Sequence, residues 1–153
     1  MSSLQRRGIR SNLWDLGPIF NPRSASYYSM MVGASKLVCI VDDEAPVRRA
    51  LSRLMKTHGY DVLVFSGGRE CLDGKEIDRA GIVIIDVSMP GMDGFELHTL
   101  LQASGRVIPT IFISAHANRQ YASRAKSLNA ITFLNKPCNE TDLLGANESV
   151  IQA

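Results

Sequence analysis

The run Ile82-Val83-Ile84-Ile85, followed directly by Asp86, constrains the fold more than any other stretch of the chain. Apolar β-branched residues in a continuous run, bounded by the turn residues Pro90-Gly91, predict a short strand buried on both faces. Asp86 then lies at the carboxyl end of this strand, where ligand sites form in open α/β sheets. An aspartate that only opens a solvated loop is an equally simple interpretation of this residue alone.

From Lys36 onward, short apolar strands alternate with segments of helical periodicity. Besides the strand before Asp86, strands are predicted at 37–41, 61–65, 107–114 and 130–134. Helices are predicted at about 46–58, 66–75, 94–104, 118–128 and 139–152. Such alternation predicts an α/β fold with a doubly wound (βα)5 parallel sheet, right-handed crossovers and helices on both faces.

The periodicity also predicts which helical side chains face the core. The predicted apolar stripes are Leu97, Leu100 and Leu101 on helix 94–104, and Ala122, Ala125 and Leu128 on helix 118–128. His58 and His98 are isolated in predicted helices, so we expect them to have surface or packing roles and not to bind a metal.

Charge is distributed unevenly between the two parts of the chain. Residues 1–35 contain four arginines and one aspartate, a net charge of +3, whereas residues 36–153 contain 13 Lys/Arg and 14 Asp/Glu, a net charge of −1. The pI of about 8.5 therefore comes from residues 1–35 and does not indicate nucleic-acid binding. We expect 1–35 to be a mostly flexible extension and 36–153 to be one domain, with no output domain after it.

Several classes of protein are not indicated by the composition. No apolar stretch approaches the roughly 18 residues of a membrane span, and no apolar segment of a signal peptide follows the first arginines. Cys39, Cys71 and Cys138 are odd in number and widely spaced, which indicates neither a disulfide framework nor a zinc site. Reduced thiols and a cytoplasmic location are the expectation.

Charged and hydroxyl side chains follow the ends of four predicted strands. Asp42-Asp43, Asp86, Ser114 and Lys136 would share one edge of a parallel sheet. Clustered carboxylates repel one another unless a cation neutralises them, and oxygen ligands of this kind favour Mg²⁺. With Lys136 beside them, the cations would stabilise a phosphoryl group, and Asp86 would be the nucleophile. Alone, each residue could be a helix cap or a surface side chain.

Four motifs at this edge match a known family. Val41-Asp42-Asp43-Glu44, the stretch from Asp86 to Gly94 (DVSMPGMDG), Ser114-Ala115 and Lys136-Pro137 resemble the receiver domain of bacterial two-component response regulators. The resemblance covers about residues 36–151, and Val47-Arg48 with Ser114-x-His116 is most similar to FixJ/NarL-type receivers. It implies a three-layer flavodoxin-like (CheY-like) fold with strand order 2-1-3-4-5.

The resemblance implies a role for each residue of the acidic edge. Asp86 is the phospho-accepting aspartate. Asp43 binds Mg²⁺ directly, Asp42 does so mostly through water, and the backbone carbonyl of Ser88 is a further ligand besides Asp86.

It also implies roles for residues after the fourth and fifth strands. Lys136 pairs with a phosphoryl oxygen, and its bond to Pro137 is cis. Ser114 is the hydroxyl that moves toward the phosphoryl group, Ala115 keeps the site accessible, and Phe133 occupies the position of the switch aromatic residue. Core packing is a compatible role for Phe133.

Ser88 and His116 match the variable positions that tune how fast the acyl phosphate hydrolyses in the family. Alternatively, His116 is an ordinary loop residue that does not affect hydrolysis.

The implied partner is a sensor histidine kinase or a histidine phosphotransfer protein. Phosphorylation would remodel the surface of the fourth helix, fifth strand and fifth helix for a protein target that the sequence does not identify. A phosphorylation-dependent dimer is an open alternative. The resemblance implies a signalling domain that catalyses only its own phosphorylation and dephosphorylation, and no enzyme of metabolism.

The sequence leaves three alternative functions to compare with this one. The first is the receiver part of a DNA-binding transcriptional regulator. The second is an aspartyl-phosphate phosphohydrolase, which would need a second aspartate two residues after the nucleophile, where Ser88 stands. The third is a receiver that never accepts phosphate, against which the complete residue set argues. Direct nucleic-acid binding and membrane association are not expected.

Overall fold

The strand predicted around Ile84 lies at the centre of a five-stranded parallel sheet. The computed structural model describes residues 35–151, so the expected flexible extension falls almost entirely outside the described residues. The strands are β1 (Leu37–Val41), β2 (Asp61–Phe65), β3 (Ile82–Asp86), β4 (Thr110–Ser114) and β5 (Thr132–Asn135). Their order is β2-β1-β3-β4-β5, which confirms the predicted topology.

Helices cover both faces of the sheet, as predicted for a doubly wound fold. They are α1 (Ala45–Thr57), α2 (Gly68–Asp73), α3 (Gly94–Ala103), α4 (Arg119–Ser127) and α5 (Glu140–Ile151), with a 3₁₀ helix at Glu76–Arg79. One core contains side chains of α1 and α5, and the other contains side chains of α2, α3 and α4. All five residues of β3 are buried between these cores, which is why the strand is apolar throughout until Asp86.

Local signals explain where the helices begin and end. Pro46 lies in the first turn of α1, and Gly59 follows its end with φ +88°, a conformation that glycine adopts without strain. At α3, the Asp93 carboxylate accepts from the N–H of Glu96, and the Glu96 carboxylate accepts from the N–H of Asp93. This capping box fixes the chain directly after the loop that leaves β3.

Several predicted boundaries were wrong by two or three residues. β4 begins at Thr110 and not at 107, since the run contains Pro109, which has no N–H for the sheet, and Val107 is 49% exposed. β5 begins at Thr132 and not at 130. α2 ends at Asp73 because Gly74 is extended, and the 3₁₀ helix that follows was not predicted.

The apolar stripes were partly wrong. Leu100 is 42% exposed and Ala122 is exposed, whereas Phe95 and His98 of α3 are buried. On α4, the half-buried Tyr121 takes the place that the stripe assigned to Ala122. The stripes failed because the helices bury aromatic and imidazole rings that a search for aliphatic residues overlooks.

His98 has the packing role expected for it. Its Nδ1 lies 3.1 Å from the Thr110 hydroxyl and its Nε2 lies 3.2 Å from the carbonyl of Leu128, so it links α3, β4 and the end of α4. Burial lowers the pKa of His98 below its usual value, against the opposing effect of the Leu128 carbonyl. Within residues 35–151, no helix is long and apolar enough to cross a membrane.

Candidate functional site

The register of the sheet brings the polar strand ends together. Val41 of β1 pairs with Ile85 of β3, so the residues that follow, Asp42 and Asp86, emerge side by side. Farther along the same edge, Asp86 pairs with Ile113 and Ser114 pairs with Asn135. Lys136 follows Asn135 directly, and its N–H donates to the Ser114 carbonyl at 2.9 Å. The sequence-predicted residues of four strands therefore meet at one edge.

Three carboxylates form what we call the acidic cluster: Asp42, Asp43 and Asp86. Each offers one oxygen, and these oxygens lie within 4.8 Å of one another. Asp42 and Asp86 are 0% and 2% exposed, whereas Asp43 is exposed. Like charges this close and this buried are unfavourable without a cation, as the sequence predicted.

Lys136 is the cation that the chain itself supplies. Its Nζ lies 2.8 Å from Asp42 Oδ2, 3.3 Å from Asp86 Oδ2 and 3.0 Å from Glu44 Oε1. Its side chain is 9% exposed, so the two pairs with buried carboxylates are shielded from water, while the Glu44 carboxylate is 58% exposed. The bond from Lys136 to Pro137 is cis, which confirms that prediction.

Burial and charge shift the protonation of this site. Burial, and then the neighbouring Asp42 carboxylate, raise the pKa of Asp86 to about 6, and Lys136 and the N–H of Ser88 only partly offset this. Burial by itself would lower the pKa of Lys136, but Asp42 and Glu44 raise it above its usual range. Lys136 is thus firmly protonated, and Asp86 is ionised at neutral pH but at a cost.

Backbone contacts fix the two buried carboxylates. The N–H of Ser88 donates to Asp86 Oδ1 at 3.3 Å, and the N–H of Glu44 donates to Asp42 Oδ1 at 2.8 Å. Gly94 packs so tightly on this strand end that a Cβ there would lie 2.5 Å from the Asp86 carbonyl oxygen. Its N–H donates to the Val87 carbonyl at 2.9 Å. The loop between β3 and α3 is therefore held against the site.

The donor set fits a magnesium ion. Asp42 Oδ2 is fully buried, and among residues 35–151 it accepts no hydrogen bond, since its contact with Lys136 is an ion pair without hydrogen-bond geometry. It belongs to a cluster that offers carboxylate oxygens only, and Asp43 and Ser88 are exposed to water. Mg²⁺ takes oxygen ligands and keeps several waters, so a partly exposed acidic cluster suits it.

Ser114 is the predicted hydroxyl of the site. It is fully buried, and its Oγ accepts from the N–H of His116 at 3.0 Å. Ala115 and His116 are exposed in the loop after β4. Phe133 is half-buried on β5, where its ring meets Tyr121 of α4 edge to face with centroids 6.4 Å apart. An aromatic contact thus joins β5 to α4.

Sequence reasoning missed three contacts of the site: the ion pair of Glu44, the hydrogen bond at 2.6 Å from Arg48 Nη1 to the Asp42 carbonyl, and the close packing of Gly94. Glu44 and Arg48 lie in the motif and the helix after β1, so their position was the available signal. Gly94 ends the DVSMPGMDG motif, but neither the motif nor its place at a helix start indicates that it packs against the Asp86 carbonyl.

Comparison with known proteins finds response regulator and transcriptional regulatory proteins among the relatives. The chain is 34% identical over 122 residues to the response regulator protein TodT of Pseudomonas putida, covering 80% of this chain and 54% of the relative. It is 36% identical over 114 residues to the transcriptional regulatory protein TdiR of Thauera aromatica, covering 74% and 50%. The chain spans about half the length of these relatives.

The structural comparison agrees with the sequence comparison. The crystal structure of FixJ-N superposes with a TM-score of 0.69 at 32% identity, covering 76% of this chain and 93% of FixJ-N. Residues 38–148 match the model of the response regulator receiver domain, which is most of the 153-residue chain. With strand order 2-1-3-4-5 and the acidic cluster at the sheet edge, the chain belongs to the response regulator receiver family.

Proposed function

We propose that this chain receives a phosphoryl group on Asp86 from a sensor histidine kinase or a histidine phosphotransfer protein. The observation that carries the proposal is the position of Asp86, which is buried within the acidic cluster and beside the Lys136 ammonium. A buried carboxylate with an adjacent fixed cation is suited to attack phosphorus and to hold the negative charge that arrives.

The reaction is a displacement at phosphorus. A carboxylate oxygen of Asp86 attacks the phosphorus of phosphohistidine, the P–O bond forms as the P–N bond breaks, and the electron pair of that bond returns to the imidazole. Lys136 stays protonated throughout, because Asp42 and Glu44 hold its pKa above the usual range. Its ammonium can then pair with a phosphoryl oxygen.

We assign the metal site to Asp43, Asp42 and Asp86 with the backbone carbonyl of Ser88. Asp42 is the member that binds through water. Magnesium held by these residues would neutralise negative charge on the transferring oxygens. The protein's part is to fix the carboxylates, which the N–H groups of Glu44 and Ser88 do.

We propose that phosphorylation switches the surface of α4, β5 and α5. Ser114 gives up the N–H of His116 and hydrogen-bonds a phosphoryl oxygen, which moves the loop after β4. Phe133 then turns inward, and its contact with Tyr121 transmits the change to α4. Only the difference in partner affinity between the two states carries the signal. A dimer formed through this surface on phosphorylation is one form of that output.

Acetyl phosphate with Mg²⁺, followed by intact-mass measurement, tests the phosphoacceptor. The expected product is heavier by one phosphoryl group, about 80 Da. Omitting Mg²⁺ or changing Asp86→Asn abolishes it, while Asp61→Asn, an exposed aspartate of β2, leaves it intact. Labelling that persists in Asp86→Asn would refute the site.

Ser88 and His116 are assigned the tuning of the phosphoryl lifetime. Both side chains are exposed in loops that flank Asp86 and Ser114. His116→Ala and Ser88→Ala are expected to change the dephosphorylation half-life measured by loss of the added mass. An unchanged half-life in His116→Ala would leave that residue as plain loop.

A second candidate role is the receiver part of a DNA-binding regulator. The observation that favours it is that TdiR, a transcriptional regulatory protein by name, is twice as long as the part matched here. A signalling role in the cytoplasm, with no catalysis beyond phosphorylation and dephosphorylation of Asp86, is proposed for both. Mobility-shift binding of duplex DNA that phosphorylation alters would support the second role for the full-length protein.

A further inference from the structure

A second charged feature lies between α1 and β2. An open cavity of about 360 Å³ is lined there by α1 side chains and by Val64 of β2. All of its charged lining residues are cations: Arg48, Arg49, Arg53 and Lys56. We call this cavity the basic groove.

Three of the four cations lack a counter-ion in the described part of the chain. Among residues 35–151, no carboxylate lies within 4.0 Å of Arg49, Arg53 or Lys56, while Arg48 donates to the Asp42 carbonyl. The spacings from Arg49 to Arg53 and from Arg53 to Lys56 place these charges on neighbouring positions of one helix face, where they repel one another. An anionic ligand would relieve that repulsion.

The positive charge of the basic groove does not reflect a domain that is basic as a whole. Residues 36–153 have a net charge of −1, so the cations are concentrated here against the overall balance. Asp43 and Glu44 stand immediately before α1. A phosphate backbone that continued beyond the groove would meet these carboxylates, and duplex binding normally engages more phosphates than these few cations can neutralise.

Two further features favour a peptide as the anion. Val64 is 43% exposed in the groove, which offers an apolar contact. β2 is an edge strand of the described sheet, so its backbone groups on one side have no strand partner there. Extended peptides use such edges by adding main-chain hydrogen bonds.

We infer that the basic groove binds an acidic segment of a partner protein. Its Asp or Glu carboxylates lie over Arg49, Arg53 and Lys56, and an apolar side chain between them packs on Val64. This binding does not require phosphorylation of Asp86.

The test uses the full chain and a short fluorescein-labelled peptide of alternating glutamate and valine, with polarisation as the readout. The double variant Arg49→Gln/Arg53→Gln is expected to raise Kd about fivefold to tenfold. The matched variant Arg69→Gln/Lys75→Gln removes two exposed cations, one on α2 and one just after it, outside both the basic groove and the proposed switch surface, and is expected to leave Kd within about twofold. All variants keep the arginines of residues 1–35, so their difference reports on the groove.

Three further arms make the proposal refutable. Val64→Ser is expected to weaken the peptide about threefold, and a peptide with glutamine in place of glutamate is expected not to bind. Equal Kd values for the two double variants would overturn the proposal. The proposal would also be overturned if duplex DNA bound more tightly than the peptide and its affinity were unchanged by Val64→Ser. That outcome would assign the groove to nucleic acid.

Discussion

The acidic cluster and the basic groove are both sets of like charges, and they differ in how far each is removed from water. Asp42 and Asp86 are 0% and 2% exposed and are held by Lys136 and backbone N–H groups. Arg49 and Arg53 are exposed and unpaired in the described part of the chain. A buried charge is costly unless it is paired, whereas an exposed charge is screened by water. Substitutions should therefore act strongly on the first set and weakly on the second.

Lys136→Met should have the largest effect on stability. It leaves Asp42 and Asp86 buried without their cation, so the free energy of unfolding at pH 7 without Mg²⁺ should fall by about 2–3 kcal/mol in urea titrations. Adding Asp86→Asn should restore part of the loss, because one of the two unpaired charges disappears. If the single variant is as stable as the parent protein, Lys136 does not offset the buried carboxylates.

Asp86→Asn should stabilise the protein by about 1–2 kcal/mol at pH 7 without Mg²⁺, less than the full pKa shift implies, because the acidic cluster is open to water on the side of the exposed Asp43. The pKa of Asp86 is raised from 3.8 to about 6, so the folded state holds its proton more tightly than the unfolded state does. The stability that protonated Asp86 contributes to the folded state is complete below pH 3.8 and is lost as the pH rises through about 6.

The advantage of Asp86→Asn should accordingly grow between pH 4 and 6 and stay constant above it. Urea titrations at a series of pH values measure this. If the gain in free energy of unfolding is independent of pH, Asp86 destabilises the parent protein through its packing and not through its charge.

Mg²⁺ should stabilise the protein through the acidic cluster. At a concentration ten times Kd the gain is about 1.4 kcal/mol, seen as a rise in Tm. Asp43→Asn should remove most of it, and Asp61→Asn, an exposed aspartate outside the cluster, should keep it. A Tm that rises equally in both variants would move the ion away from Asp43.

Arg49→Gln/Arg53→Gln should have the smallest effect on folding. Because both side chains are exposed and repel each other, the free energy of unfolding should change by less than about 0.5 kcal/mol, toward greater stability. If the free energy of unfolding fell by several kcal/mol, Arg49 and Arg53 would make contacts that stabilise the fold. The contrast with the acidic cluster would then be lost.

Sequence reasoning predicted the fold well because its signals were local and repeated. The apolar runs before Asp42 and Asp86 identified buried strands, and the strand ends defined the site. One error neglected a local signal, Pro109, and the other came from packing that no local pattern encodes. Val107 continues an apolar run but lies before Pro109, outside the sheet, and the aromatic ring of Tyr121 fills a place assigned to alanine.

The site residues, like the strands, could be predicted where the signal was local. Asp86 and Lys136 could be predicted because parallel strands end at one edge, whatever the loops do. The raised pKa of Asp86 could not be predicted, since it depends mainly on the depth of burial and then on the proximity of Asp42. The helical spacing of Arg49, Arg53 and Lys56 is present in the sequence, but the basic groove was not predicted because its other wall, Val64 of β2, lies beside α1 only in the folded structure.

Localising the phosphoryl group by borohydride reduction tests the central claim most directly. Borohydride converts an aspartyl phosphate to homoserine, whose position is read by tandem mass spectrometry after digestion. With acetyl phosphate and Mg²⁺ present, homoserine is expected at position 86 alone, and none is expected when either reagent is omitted. Homoserine at Asp42 or Asp43, or none anywhere in a protein that gains the phosphoryl mass, would contradict the account.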